Sequence, residues 1–343
     1  MELAKDHKVF FVEQNKFGCP RIEIKKENRN LVRIIPYWPF DHRFRYRIPI
    51  QNELYQNFVF SRIKRLKIGI ECNDLYIINF DHTASRIFSY FSKNKILYYC
   101  NDNFIETGRF NPWFINTYHI TSENKVIQGS AFCIGTSEYL YNKLVKLNWN
   151  SHLILLGAPG DIPSKHKVFT NSQKNQQTIT VTYVGFMYSS ALAIDWIERC
   201  LENNKFRFIF IGPINRNIKN RFSTAKNVVF IGPKTGVNLY SILANSNVCI
   251  APYKINDINQ GGTANKLWLY LALGKPVILS KLPAMSSWKF EENLVYFTND
   301  NKQFPYLIEE AFLRDNEELF LKRIEFAREN SWTNRMNQLI ELL

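Results

Sequence analysis

The stretch IGPKTGVNLYSILANSNVCIAPYKINDINQGGTANKLWLYLALGKPVILSKLPAM, residues 231–285, decides the fold. Within it, NVCIAPY (247–253) and KPVILS (275–280) are short apolar runs bounded by turn residues, the pattern of strands buried on both faces. Between them KLWLYLALG (266–274) reads as a helix that stops at Gly274, the residue type favoured just past a helix end. A strand, a helix and a second strand at this spacing predict a βαβ unit in a parallel sheet.

Upstream the same alternation continues. TITVTYVG (178–185), FRFIFIGP (206–213) and NVVFIGP (227–233) read as strands, with SALAIDWIERCLENN and LYSILANS as helices. The first half repeats the theme: DLYIINF (74–80), a helical SRIFSYFSKN, KILYYC (95–100), a helical region through about 130, AFCIGTS (131–137), a helix from Glu138 to Leu147, and HLILLGAP (152–159). Residues 160–177 are polar and aperiodic and read as a linker. The tail from about 305 is helical, with an interruption around Asn330-Ser331-Trp332. The expected architecture is α/β, with two doubly wound Rossmann-like domains. Residues 1–165 form the first and 178–324 the second, and a C-terminal helix of about 325–343 packs back on the first.

Composition narrows the class. The 343 residues carry 44 Lys or Arg against 30 Asp or Glu, a net charge of +14, and 45% are hydrophobic, which suits a packed core and not disorder. Residues 1–69 hold 15 of the basic residues and 7 of the acidic ones, so the charge is densest at the start. No apolar run approaches the ~18 residues of a membrane span, and the N-terminus MELAKDHKVFF is not a signal peptide. The six cysteines lie far apart with no C-x-x-C pair, fitting neither a zinc site nor a disulfide scaffold. These features point to a reduced, cytoplasmic chain. The run PYWPFDHRFRYRIPI (36–50) interleaves aromatic and Arg residues and, with its prolines, reads as a loop or short turns. It suits a solvated surface, an anionic membrane face, or nucleic acid, and no motif supports the last.

Ligands of an open parallel sheet bind beyond the carboxyl ends of the strands. The loops there include GFMYSS (185–190), GPIN (212–215), GPKTG (232–236) and NDINQGGTANK (256–266). Gly261, Gly262 and Thr263 precede the predicted helix, and Lys266 lies in its first turn. Backbone N–H groups and an ammonium there suit a diphosphate; an ordinary loop with Thr263 or Asn265 as N-cap is the alternative. There is no G-x-G-x-x-G after a strand, no G-x-x-x-x-G-K-[ST], no G-x-S-x-G and no H-E-x-x-H. No D-x-D pair exists to hold a metal-bound diphosphate.

These residues carry a resemblance. Pro252-Tyr253-Lys254-Ile255-Asn256, followed by Lys266-Leu267 through Gly274-Lys275-Pro276-Val277, resembles the donor half of GT-B glycosyltransferases that build bacterial surface polysaccharides, including teichuronic-acid and exopolysaccharide transferases. LYYCNDN is similar to a "V-Y-D-C-x-D-D" segment of that group, keeping Cys100 and Asp102 but with Tyr99 and Asn103 in place of acids. Glu123 with CIGTSEYL, and Asn330-Ser331-Trp332, match more faintly. The family's helix Glu, which binds the donor ribose, is Leu269 here.

The resemblance implies a GT-B fold, its two doubly wound Rossmann-like domains facing across a cleft, and transfer of a sugar from a nucleotide-sugar donor, UDP-linked by preference, to a growing surface glycan (capsule, exopolysaccharide or lipopolysaccharide). The acceptor would be a glycan or a lipid-linked glycan. The enzyme would work without a metal, peripheral to the inner membrane face, and would not bind nucleic acid. Donor contacts would come from Gly185, Gly212, Lys234, Tyr253, Gly261, Gly262, Thr263, Asn265 and Lys266. Lys234 in an exposed turn also suits plain solvation. If the reaction inverts configuration, Asp102, Asp81 or His82 would take the acceptor proton; Asp81 and His82 equally suit helix capping, and Glu123 a hydrogen-bonding role. A non-catalytic binding subunit, kept open by Leu269, and a nucleotide-sugar epimerase of the same fold are the rival readings.

Overall fold

The computed structural model describes residues 2–66, 75–105, 113–167, 169, 178–285 and 288–343. The chain divides into two compact units: Met1–Ile154 with Gln338–Leu343, and Leu155–Asn337. The boundary falls earlier than the expected linker because Ala158 pairs with Ser331 and accepts the Trp332 N–H at 3.0 Å, which ties 155–165 to the second unit. For the same reason the expected C-terminal helix is split: its start belongs to the second unit and only Gln338–Leu343 to the first.

The first unit opens with a sheet that the sequence patterns did not announce. Strands β1 (Val9–Val12) and β2 (Lys16–Phe17) run parallel to one edge of β4 (Leu31–Trp38), and β3 (Arg21–Lys26) runs antiparallel along the other. Pro36, which has no N–H to donate, sits in β4 between the last residue paired with β1 (Ile34) and the first paired with β2 (Tyr37).

The 36–50 run is not a loop. It ends β4, forms helix α1 (His42–Arg47), whose N-cap Asp41 accepts the Arg43 N–H, and starts helix α2 (Pro49–Arg65). Pro49 occupies the first turn, where its missing N–H has no helical partner to lose. A second sheet of strands β5 (Ile77–Asn79), β6 (Ile96–Cys100), β7 (Phe132–Gly135) and β8 (Ser151–Leu153) is wholly parallel, in sequence order. Helices α3 (Trp113–Gly129) and α4 (Glu138–Val145) connect these strands. SRIFSYFSKN forms only short 3₁₀ turns, at Ser85–Ser89 and Lys93–Lys95.

The second unit is a six-stranded parallel sheet in the order β11-β10-β9-β12-β13-β14. Its strands are β9 (Ile179–Val184), β10 (Phe206–Ile211), β11 (Val228–Phe230), β12 (Val248–Ala251), β13 (Val277–Ser280) and β14 (Val295–Thr298). Only β14, a short run inside EENLVYFTND, was not anticipated. Helices α5 (Ile194–Leu201), α6 (Arg216–Arg221), α7 (Gly236–Ala244), α8 (Asp257–Gln260), α9 (Lys266–Ala272), α10 (Phe304–Arg314), α11 (Glu317–Glu329) and α12 (Trp332–Ile340) complete the chain.

Alternation along the strands divides the core into two faces. Phe206, Phe208, Phe210, Val248 and Ile250 pack on one face with α5 and α10. Cys249, Ala251, Val277 and Leu279 pack on the other with α9. Continuous apolar strands are what two covered faces require. Fully buried Arg323 on α11 donates to the carbonyls of Asn293, Leu294 and Gly274 and to Asp315 at 2.6 Å, so its charge is met from all sides.

Gly274 ends α9 as expected. Its φ is +70°, its N–H donates to Leu271 O, and the Lys275 N–H donates to Tyr270 O. A Cβ at this position would lie 2.3 Å from the Phe320 ring. Gly274→Ala is therefore expected to combine left-handed strain with overpacking and to cost ~2 kcal/mol or more. Gly160→Ala, where a Cβ meets nothing within 4 Å, should leave the thermal midpoint unchanged. Equal midpoints for both variants would contradict this account of the helix end.

Candidate functional site

In the second unit β10 lies on one side of β9 and β12 on the other, so the direction of winding reverses between β9 and β12. In open α/β sheets this switch point is where ligands bind. Gly185 ends β9, and Pro252 and Tyr253 follow β12. The two loops are stitched together: the Lys254 N–H donates to Ala191 O at 2.8 Å, and the Ala193 N–H donates to Pro252 O at 2.9 Å. Buried Asn259 donates to the carbonyls of both Ala191 and Lys254, and Asn256 donates to Ser190 O. Asn256 closes the Pro252–Asn256 stretch that carries the resemblance, whereas Asn259 did not stand out in the sequence, because backbone bracing leaves no motif of its own.

Lys266, the first residue of α9, reaches back across this point. Its Nζ donates to the Tyr253 hydroxyl at 2.8 Å and lies 5.4 Å and 5.6 Å from the ring centres of Tyr253 and Tyr183. A Cβ on Gly185 would come within 2.3 Å of Lys266 Cε. Gly185 (φ +138°) thus leaves the space through which the lysine passes. Gly212, also at φ +138°, is held as tightly: a Cβ there would lie 2.3 Å from Gly185 O. The Gly185 N–H donates to Ile211 O and the Gly212 N–H to Gly232 O, which brings three strand ends together.

Among the described residues no carboxylate pairs with Lys266. Its ammonium rests on a phenol and two aromatic faces, interactions weaker than an ion pair, so an anion arriving there displaces no acid.

The structure thus gathers Gly185, Gly212, Tyr253 and Lys266. Gly261, Gly262 and Thr263 form the turn between α8 and α9, with Gly261 buried. Asn265 is the N-cap of α9, but its side chain makes no capping bond. Lys234 is exposed in the loop before α7, and no described contact joins it to Lys266. Leu269 is half-buried and packs against the apolar core beside α9.

In the first unit Asp81 and His82 follow β5 and Asp102 follows the adjacent β6. Asp81 is held at both oxygens. Oδ1 accepts from the Thr83 N–H at 2.8 Å and the Thr83 hydroxyl at 2.6 Å; Oδ2 accepts from the Tyr46 hydroxyl at 3.0 Å, with the Arg45 guanidinium 3.8 Å away. Burial opposes its ionisation, but Arg45 and the Thr83 donors overcome that and hold the carboxyl below the usual carboxylate range.

Arg45 is itself buried, bonded to Asn52 Oδ1 and covered by the Tyr46 and Tyr55 rings. Asn52 donates to Thr83 Oγ1 and the Tyr118 hydroxyl, both at 2.9 Å. Arg45 and Tyr46 belong to the basic aromatic run; helix α1, with Asp41 as its cap, turns these two inward.

His82 is buried, stacked on Phe104 and His119, and its Nε2 lies 2.7 Å from His119 Nδ1. His119 Nε2 lies 2.8 Å from the carbonyl of Tyr46, which can only accept. His119 is therefore the donor there, its Nδ1 is the acceptor, and the proton between the rings sits on His82 Nε2. Burial pushes His82 down to about 4 and also lowers His119, so both rings are neutral near pH 7.

Asp102 is half-buried; its Oδ1 accepts the Asn103 N–H at 2.8 Å, its one side-chain bond among the described residues. Glu123 is fully buried, ion-paired with Lys143 at 2.7 Å and accepting from Tyr98 at 3.0 Å. It is the hydrogen-bonding partner that the sequence suggested. No group of three or more His, Cys, Asp or Glu among the described residues is placed to share a metal ion.

Known proteins resemble this chain in sequence and in fold. A family model described as "Glycosyl transferases group 1" matches residues 178–310, the sheet that holds Lys266. The chain is similar to TuaH of Bacillus subtilis (strain 168), named as a teichuronic acid biosynthesis glycosyltransferase. They are 23% identical over 269 residues, 74% of this chain and 68% of TuaH. Among solved structures, the sucrose-phosphate synthase of Thermosynechococcus elongatus superposes with a TM-score of 0.73 at 12% identity, over 99% of this chain and 89% of that one. The trehalose-6-phosphate protein of E. coli bound with UDP-2-fluoro glucose superposes with a TM-score of 0.68 at 11% identity, over 99% of this chain and 93% of that one.

The neutral histidine pair gives a pH signature. His82 takes up its proton at about 4 in the folded chain against an ordinary 6.5. Between these values the unfolded chain binds more protons, so stability rises with pH there and is lost as pH falls from 6.5 towards 4. His82→Gln is expected to flatten that slope in denaturant unfolding measured across the window. An unchanged slope would show that His82 is not held neutral.

Proposed function

From the premise that this chain is a glycosyltransferase of the GT-B fold whose residues 178–310 form a glycosyl transferases group 1 domain, we propose that it moves a sugar from a UDP-linked donor to a growing bacterial surface glycan. The observation that carries this reading is Lys266, an ammonium with no carboxylate partner among the described residues, laid across Gly185 at the switch point of the second sheet.

The diphosphate of the donor sits on Lys266, with the turn at Gly261, Gly262 and Thr263 and the side chain of Asn265 beside it. Negative charge builds on that diphosphate as the glycosidic bond breaks, and a fixed cation stabilises it most when the charge is greatest. Tyr253 keeps the ammonium in place, and Gly185 and Gly212 keep the strand ends open. Lys234 borders the same side of the sheet from the β11–α7 loop. The site works without a metal, the positive groups being supplied by the chain.

The acceptor belongs to the first unit. There Asp102 takes the acceptor proton in an inverting transfer, because its carboxylate is the least committed of the three candidates. Both oxygens of Asp81 are engaged, so it serves as a fixed anion that orients hydroxyl groups, and His82 supports the wall behind it. TuaH's name and the UDP-2-fluoro glucose of the E. coli neighbour support a UDP donor and a surface polysaccharide such as a capsule or exopolysaccharide. The acceptor is lipid-linked, and the chain works at the cytoplasmic membrane face. Leu269 favours a second reading, a GT-B subunit that binds without turnover, because an apolar side chain in the core beside α9 cannot hold ribose hydroxyls.

Two measurements separate these. Lys266→Ala is expected to weaken UDP binding at least ~tenfold by calorimetry, as loss of a charge-assisted hydrogen bond would, with the circular dichroism spectrum unchanged. Undiminished affinity would remove Lys266 from the diphosphate site. Asp102→Asn should lower turnover ~10²-fold or more at unchanged UDP affinity. UDP binding with no transfer to any glycan acceptor by the wild-type chain would favour the binding subunit.

A further inference from the structure

Strand β3 is the outer strand of the first sheet. Among the described residues it pairs with β4 and with no other strand. The Val9 N–H donates to Asn30 O and the Glu13 N–H to Ile34 O, so the even-numbered residues of β4 turn their backbone groups towards β1 and β2. The odd-numbered residues serve β3, and the Glu27 N–H donates to Leu31 O at the end of that ladder. Backbone direction alternates along a strand, so the N–H and C=O groups of Arg21, Glu23, Lys25 and Glu27 face β4. Those of Ile22, Ile24 and Lys26 point the other way, with no strand beyond them among the described residues.

Such an edge is a template for another strand, and lysines along it ordinarily discourage pairing. Here the charges are ordered about Ile24, which is 47% exposed. Glu23 precedes it and Lys25 follows it; Arg21 and Glu27 stand at the next odd positions of opposite sign. Glu23 and Arg21 are held in place, Glu23 accepting from the Tyr37 hydroxyl at 2.8 Å and Arg21 stacked 3.5 Å from the Tyr37 ring centre. Lys25 reaches Glu23 at 3.1 Å, and Glu27 accepts from Arg33 at 2.7 Å.

We propose that the occupant of this edge is the β3 of a second copy of this chain, laid antiparallel with Ile24 opposite Ile24. That register puts Glu23 opposite Lys25 and Arg21 opposite Glu27, each twice, on one face of the joined sheet. It also sets Ile22 opposite Lys26, so all the outward backbone groups meet outward groups. A slip of two residues one way brings Glu23 opposite Glu23 and Arg21 opposite Lys25. The same slip the other way brings Lys25 opposite Lys25 and Glu23 opposite Glu27. A slip of one residue sets outward groups against inward ones. The arrangement is two-fold symmetric and closes on itself, making one continuous sheet of two four-stranded ones. Any extended segment could satisfy the backbone, but a charge order that complements its own reverse is matched by the same strand. The opposite edge of the sheet offers no equal run, being divided between β1 and the two-residue β2. The proposal is independent of the donor and acceptor readings.

The test is sedimentation velocity of the full chain over a dilution series, with the circular dichroism spectrum and thermal midpoint checked for every variant. The expected result is a monomer–dimer equilibrium. Glu23→Lys and Lys25→Glu each set like charges opposite at two symmetric contacts, and each should weaken the dimer about tenfold or more. Mixed in equal amounts, with one of them fluorescently labelled, the two variants should pair with each other about as tightly as the wild type does with itself. One chain then carries two cations and the other two carboxylates, so opposite charges meet at both positions. Ile24→Pro removes an outward N–H that β4 does not use, and should abolish the dimer; the charge variants decide the matter should it fail to fold. A monomer at every concentration, self-association undiminished in both charge variants, or a mixture that associates no more tightly than either variant alone would each overturn the proposal.

Discussion

Lys266 can lie across the end of β9 only because residue 185 has no side chain. The same contact fixes much else in the second unit. It requires α9 to start where its first side chain points back over the sheet. It requires Tyr253 to stand at the end of β12 as the hydroxyl on which the ammonium rests. The chain after β9 must also be braced by Asn256 and Asn259, so that the glycine turn does not collapse. Gly212 repeats the constraint one strand further out, because its backbone touches the carbonyl of Gly185. The core faces on either side of the sheet, Phe-rich towards α5 and α10 and aliphatic towards α9, hold these loops at one end of the strands.

The first unit builds its site by the opposite means. Among the described residues the second unit leaves Lys266 without an acid, whereas the first surrounds Asp81 with donors. Asp81 is ionised at neutral pH because Arg45, Tyr46 and Thr83 all serve it, and Arg45 in turn is positioned by Asn52 and two aromatic rings. In such a network each missing partner leaves a polar group stranded in low dielectric; here, among the described residues, the Nε of Arg45 is the buried atom without a hydrogen-bond partner, covered by aromatic rings. The neutral pair of His82 and His119 extends it without adding charge.

Much of this was legible in the chain. The strands of the second sheet, except β14, announce themselves as continuous apolar runs because both faces of a parallel sheet are covered. Gly274 marked a helix end, and Gly185, Gly212, Tyr253 and Lys266 stood out as strand-end and helix-start residues that the fold does bring together. What was hidden depends on contacts between distant segments. The inward turn of Arg45 and Tyr46 depends on Asp41 and Pro49 making a helix of a proline-punctuated run that reads as a loop. Asn52, Thr83 and His119 have no local pattern, because their partners lie on other elements. In the β1–β4 sheet only β4, LVRIIPYW, has buried residues; β1 and β2 are short, and β3, RIEIKK, is charged with no buried residue.

The account stands or falls on where a nucleoside diphosphate goes. A crystal structure of the chain soaked with UDP tests this directly. The predicted result is a diphosphate within hydrogen-bond reach of Lys266 Nζ, over Gly185, with the turn at 261–263 facing its oxygens. A nucleotide bound elsewhere, with Lys266 still resting on Tyr253 and no phosphate beside it, would contradict the account.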